Sequence, residues 1–291
     1  MSDNAQIYDT GYRAYEGDRG GMGHAVWSTT RHGIERSLGI RRTIWQKILP
    51  VLVIIIAFLP AIVFVGMAAF LGDTVITDEL LPDYFEYYGF TGFAIFLFAA
   101  FVAPEVLCTD RRTGMLGLYL ASPLDRSRYV VAKMSSVLIV LSIVAVGPLL
   151  LMFVAYSIVG VGPGGVGDHV VLFARILASG AVVTIMYTSL ALMISSFTDR
   201  RAFASAAIAI VLVVSSVLVN SVIENTDVTA NLALLDIATL PFGVVIRIFG
   251  ETSGDRSDEV STTLAVVAWF AWSALFTAVL FWRYRNIRVR R

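Results

Sequence analysis

The sequence predicts an all-α membrane protein with six transmembrane helices, an N-terminal amphipathic interfacial helix and a re-entrant outer helical segment before the last span. Three observations predict it. Hydrophobic residues make up 57% of the chain and charged residues 15%, against about 45–50% and about 25% in soluble domains. The mean hydropathy is +0.77. Six apolar runs, roughly 48–71, 88–107, 134–160, 170–196, 203–223 and 260–282, reach the length of about 20 residues that carries a helix across a bilayer. The third observation is where the basic residues fall.

With six spans, the segments on the N-terminal side hold seven Lys and Arg (1–47), five (108–133), two (Arg200 and Arg201) and five (283–291). The loops on the other side hold only Arg247 and Arg256, and Arg175 lies just inside the fourth run, where it can snorkel. Nineteen against two is a strong positive-inside asymmetry. It predicts a multi-pass protein of the cell membrane with both termini cytoplasmic. A seventh apolar stretch, 229–250, carries Asp236, Pro241 and Arg247. A charge at the bilayer centre costs about 2.5–3.5 kcal/mol even on the lenient scales. Counting this stretch as a span would also put the basic C-terminus outside. It is therefore expected to be re-entrant or interfacial, broken near Pro241.

Taken in order, residues 1–29 are polar and Gly-rich and read as a flexible cytoplasmic tail. Their glycines match no phosphate-binding loop, since no GxxxxGK[ST] occurs. Residues 30–47 place Ile34, Leu38, Trp45 and Ile48 on one helical face, with arginines mostly around the rest. That pattern predicts a helix lying in the headgroup plane; a plain positively charged anchor would account for it equally. The first span contains Pro60 in its middle, where a missing amide predicts a kink. After the second span, Gly114 and Gly117 mark a turn between two short helical pieces whose arginines are expected to face water. A new helix then opens, with Ser122 as N-cap, Pro123 at the first helical position and Asp125 at the third. Spans four and five are rich in Ala, Ser and Gly, which lets helices approach closely in lipid.

Several chemistries find no support. The three histidines lie outside the apolar runs and no HExxH motif occurs, so neither a zinc protease nor any metal site is expected. The single cysteine excludes an internal disulfide. The spans lack the chain of buried acids and bases that proton-coupled transport uses. An active transporter built on this chain would take its energy from another polypeptide.

Glu105, then Arg111-Arg112-Thr113-Gly114 with Leu116, Leu118 and Leu120, then Ala121-Ser122-Pro123-Leu124-Asp125-Arg126 and Lys133, lie between spans two and three. This pattern resembles the membrane subunit of ABC-2-type ABC transporters, and the six-span topology resembles it over the whole chain. The order Thr113-Gly114 departs from the family's more usual Gly-Thr. The resemblance implies a permease subunit of an ABC exporter, not itself an enzyme. Its partners would be cytoplasmic ABC ATPase subunits, a second copy of itself or a homologous permease, and the lipid bilayer, with no nucleic acid. No cofactor is expected on this chain; ATP and Mg would sit on the ATPase. Glu105, Arg111, Arg112, Thr113, Gly114, Leu116 and Leu118 would couple to that ATPase. Short contacts from the 197–202 turn would add to them.

The chain then divides into the tail 1–29, the interfacial helix 30–47, a transmembrane domain 48–282 with coupling loop 105–133 and re-entrant segment 229–250, and a basic cytoplasmic tail 283–291. Glu105 is costly at a membrane edge unless paired, so an ion pair to Arg36, Arg41 or Arg42 of the interfacial helix is expected. Solvation at the helix end is the alternative. A non-transporting membrane anchor or assembly protein, or an ATP-independent channel or carrier, are the competing functions.

Overall fold

The computed structural model describes residues 20–40, 44–71, 81–121, 124–225, 230–252, 254 and 259–287. In chain order these form α1 (Met22–Ser37), α2 (Ile44–Leu71), α3 (Tyr87–Arg112), α4 (Met115–Ala121), α5 (Arg126–Val159), α6 (Val166–Ser195), α7 (Arg201–Asn225), a 3-10 turn (Ala230–Leu235), α8 (Leu240–Phe249) and α9 (Thr262–Asn286). No strand occurs among the described residues. The six helices α2, α3, α5, α6, α7 and α9 are long and apolar enough to cross a bilayer, as the hydrophobic runs predict. The apolar window of α3 is 61% buried, against 22% for α2, α7 and α9. α3 is therefore an inner helix of the bundle, and those three present most of their apolar surface outward. α5 packs against α1, α2 and α6.

Two sequence features determine how the helices meet. Pro60 interrupts the backbone ladder of α2, and the Tyr87 hydroxyl fills the gap. It donates to Ala57 O at 2.6 Å and accepts from Ala61 N at 2.9 Å, tying α2 to the start of α3. Between α5 and α6 the contact depends on a glycine: a Cβ on Gly180 would stand 2.1 Å from Val146 Cγ2. Ser179, Ser189 and Ser195 are buried on the same helix, so much of the small-residue content of span four does face neighbouring helices.

The N-terminal helix differs from the expected one. It begins at Met22, inside the stretch read as tail, and ends at Ser37. Gly39 follows in the left-handed conformation, with φ 69°, which stops a helix. Ile44–Lys47 already belong to α2, where Trp45 is 84% exposed. The stripe Ile34, Leu38, Trp45, Ile48 therefore does not lie along one helix. α1 instead buries Thr29, Thr30, Gly33 and Ser37, with Ile34 and Leu38 packed partly on the core. Its small strip lies on α5: Thr30 Oγ1 donates to Ala132 O at 3.3 Å, and a Cβ on Gly33 would meet Ser136 Oγ at 2.4 Å.

The segment between α7 and α9 turns back inside the bundle. It meets α7 where Ser215 Oγ lies 3.5 Å from Asp236 Oδ1. Its turn at 236–239 receives the Tyr187 hydroxyl on Ala238 O at 2.8 Å, and it climbs to Phe249 O, which accepts from Arg175 Nη1 at 3.0 Å. Tyr187 and Arg175 are twelve residues apart on α6, about 18 Å at 1.5 Å per residue. The break lies at 236–239, just before Pro241, which is itself in the first turn of α8, where its missing amide costs nothing. Each group that disqualified this stretch as a span has a local answer. Asp236 accepts from Ala238 N, Thr239 N and Thr239 Oγ1, and Arg247 donates to Gly243 O and Val260 O.

Candidate functional site

The charged residues gather where α3 ends and α5 begins. Pro104 withholds an amide from the α3 ladder, and immediately before it the helix widens into a π turn, Phe98–Val102, in which Ala103 N donates to Phe98 O. Beyond this turn the segment Ala103–Arg112 carries charge on two faces. Glu105, Cys108 and Arg111 are spaced by three and look toward α7 and the turn before it. Asp110 looks the other way, toward α1 and α5.

Asp110 is the centre of the second face. Its side chain and that of Lys133 are fully buried, and Arg36 is 9% exposed. The carboxylate pairs with Arg36 Nη1 through Oδ1. Through Oδ2 it lies 2.7 Å from Lys133 Nζ and accepts from the Tyr129 hydroxyl at 2.8 Å. One anion thus serves two cations in a buried site. Tyr119 and Tyr129 relieve part of the excess, with ring centroids 5.0 Å and 5.5 Å from the ammonium. Tyr284 of α9 packs on Tyr129. The cluster therefore binds α1, α3, α5 and α9 at one point. Its field reaches outward: burial, then Lys133 and Arg36, lower the pKa of His32 on α1, with Asp110 and Glu35 opposing. Burial, and after it the Asp110 carboxylate, raise that of Tyr119.

On the first face, Arg111 donates to Ser196 O and lies 2.7 Å from Asp199. Cys108 Sγ sits against Ser195 O and Thr198 O at 3.7 Å and 3.5 Å. Arg201, at the start of α7, lies 2.8 Å from Glu105 Oε2. The end of α3 is thus gripped from both sides, by α1 and α5 through Asp110 and by the α6–α7 turn through Arg111 and Arg201. Past Thr113, Gly114 adopts φ 72° in the turn that leads into α4. Of α4, Leu116 is buried while Leu118 is 66% exposed.

The sequence profile described as "ABC-2 family transporter protein" matches residues 40–286, most of the chain. The chain belongs to the ABC-2 transporter family. Among curated proteins no significant match is found. Membership makes it a membrane component of an ABC transporter, in line with its six bilayer-length helices.

In this ABC-2 chain the residues picked out by sequence fall into three groups. Arg112, Thr113, Gly114 and Leu118 are exposed around the turn into α4, whereas Glu105, Arg111 and Leu116 face the protein. Arg111 does not face water: its side chain is 15% exposed, because the carbonyls of the 196–198 turn need donors. Arg36 pairs with Asp110 and not with Glu105, since it emerges opposite the Asp110 face of α3. Arg41, Arg42, Ser122 and Pro123 lie outside the described residues. The N-cap of α5 is Asp125, whose carboxylate accepts from Arg128 N at 2.8 Å, so the helix opens three residues later than a Ser122 cap would have it. Sequence reasoning missed Asp110 and Tyr129 altogether and used Arg201 only as a topological charge and as part of the 197–202 turn. Ending the second span near 107 hid Asp110. The three-residue spacing of 105, 108 and 111, continued past that point, would have shown a helix with Asp110 on its other face.

Proposed function

We propose that this chain is the permease subunit of an ABC exporter in the cell membrane, with both termini in the cytoplasm and ATP hydrolysed, with Mg, by separate ATPase subunits. The observation that carries the reading is the construction of the α3–α4 corner. Ala103–Arg112 is fixed to four other elements by charged grips, while Arg112, Thr113 and Leu118 at its tip remain exposed. A rigid arm with an exposed apolar and basic tip suits an element that receives a push and passes it into α5 and α7. The excess of basic residues on that side supports a cytoplasmic position for the tip. Family membership and the resemblance of the motif support export and pairing with a second permease copy as parts of this reading.

Co-expression with a cognate ATPase chain tests this. The expected result is a stoichiometric complex with vanadate-sensitive ATP hydrolysis, and loss of the complex in Leu118→Arg with the chain still folded. An ATPase that never co-purifies with the wild-type chain would overturn the reading in favour of an anchor or an ATP-independent carrier.

A further inference from the structure

Arg201 does more than neutralise Glu105. Its guanidinium forks across the π turn of α3: Nη2 donates to the carbonyl of Phe101, inside the turn, at 2.7 Å, and Nη1 to Glu105 Oε2, just beyond it, at 2.8 Å. A π turn holds one residue more than the α-helix it interrupts. Its collapse to α geometry would turn everything downstream by about 100° and shift it by about 1.5 Å. Downstream lie Cys108 and Arg111 against the α6–α7 turn and Asp110 against Lys133. All of these contacts depend on the rotational register in which α3 leaves the turn.

We infer that Arg201 is a positioning residue that locks α3 in its π register, and so sets the orientation of the Ala103–Arg112 arm. The geometry demands a planar fork with two separately aimed N–H groups. A lysine ammonium could neutralise Glu105 but could not hold the carboxylate and the Phe101 carbonyl in the same way. The grip is also reciprocal. Arg111 of α3 holds Ser196 and Asp199 in the turn that leads into α7, and Arg201 at the start of α7 holds α3. The two helices therefore move as one body or the latch opens. The inference rests on the permease reading for its purpose, as the latch on the arm that carries the push, but not for its test.

The chain carries its own reporter. Cys108 is the single cysteine and is 1% exposed, beyond the π turn. Its alkylation by N-ethylmaleimide is followed by mass spectrometry, with the purified full chain in lipid nanodiscs. Arg201→Gln and Arg201→Lys are both expected to raise the rate about tenfold or more, the loss of one charge-assisted hydrogen bond being sufficient for that factor. Arg31→Gln, on the exposed side of α1, leaves the rate unchanged. Wild-type protection in Arg201→Lys would overturn the inference, since it would mean that charge alone suffices. Should the arginine variants misfold, the near-isosteric Glu105→Gln decides. It keeps the carbonyl grip and loses the carboxylate, so a rise smaller than tenfold supports the latch and an unchanged rate overturns it. In the wild-type complex with the ATPase chain, vanadate trapping should change the Cys108 rate. If it does not while the variants behave as stated, the latch stands and the permease reading falls.

Discussion

Two of the described aspartates are buried almost completely in this bundle, and they are held in opposite ways. Asp110, fully buried, is held by two cations and a tyrosine hydroxyl contributed by α1 and α5. Asp236, 1% exposed, has no cationic partner among the described residues. It is held by two amides and a hydroxyl from the three residues that follow it, with Ser215 at 3.5 Å. The first arrangement is long-range and joins separate helices. The second is local and shapes one turn. A carboxylate satisfied by its own backbone can be buried without committing any other helix to a position, whereas one satisfied by distant cations makes those helices move together. The arm at the basic end is built the first way and the hairpin inside the bundle the second.

The widest separation between the two should come from neutralising each carboxylate. Asp110→Asn leaves Lys133 and Arg36 buried without a counter-charge, and breaking a buried pair in this way costs about 3–5 kcal/mol. A large fall in the unfolding midpoint in detergent is expected. Asp110→Leu with Lys133→Met should recover part of the loss, because an apolar pair of similar volume removes the more deeply buried of the two orphaned charges. A double variant no more stable than the single one would mean that Arg36 and not Lys133 is the essential partner. Asp236→Asn retains an acceptor for the amides of Ala238 and Thr239 and should cost about 1–2 kcal/mol. If the two Asn variants were equally damaging, the contrast between them would be void.

That contrast marks the limit of what the sequence could disclose. The spans, their number and the helical hairpin before the last one are written in hydrophobic run length and in the three misfit residues Asp236, Pro241 and Arg247, because lipid makes every polar residue conspicuous. The local partners of Asp236 are also near it in sequence. The partners of Asp110 are 74 and 23 residues away, and pairing across such distances leaves no periodicity to read. Glu105 shows the same difficulty. That it needed a partner was legible from its position, but Arg201, from a helix that begins 96 residues later, was not. The helix α1 was misplaced for a different reason. It docks through Thr29, Thr30, Gly33 and Ser37, and a strip of small hydroxyls looks like a polar face when hydrophobicity is the guide.

A smaller effect sharpens the description of the hairpin. Tyr187 donates its hydroxyl to Ala238 O at the bottom of the turn, and Trp272 Nε1 donates to Leu234 O above it. Tyr187→Phe removes one neutral hydrogen bond and should cost about 1 kcal/mol. Hydrogen exchange at 236–240 should quicken while exchange in Ala103–Arg112 stays unchanged. Faster exchange at both sites would show that the two ends are linked through α6 and are not independent.

The smallest effect is at His32, on the α1 side of the Asp110 cluster. Burial, followed by Lys133 and Arg36, lowers its pKa below the ordinary 6.5. The folded chain therefore binds this proton less readily than the unfolded chain. Any contribution to stability is present above about 6.5 and declines as pH falls through the lowered folded value. Because the ring is exposed, solvent screens most of this, and only a slight loss of midpoint is expected between neutral and mildly acid pH. Subtracting the profile of His32→Gln from that of the wild type isolates it. The sign of the difference is the informative part. Protonation that destabilised the chain would mean that burial and the two cations together outweigh Asp110 and Glu35 at the ring. Protonation that stabilised it would mean that the carboxylate dominates, and that the cluster presents a negative surface to α1.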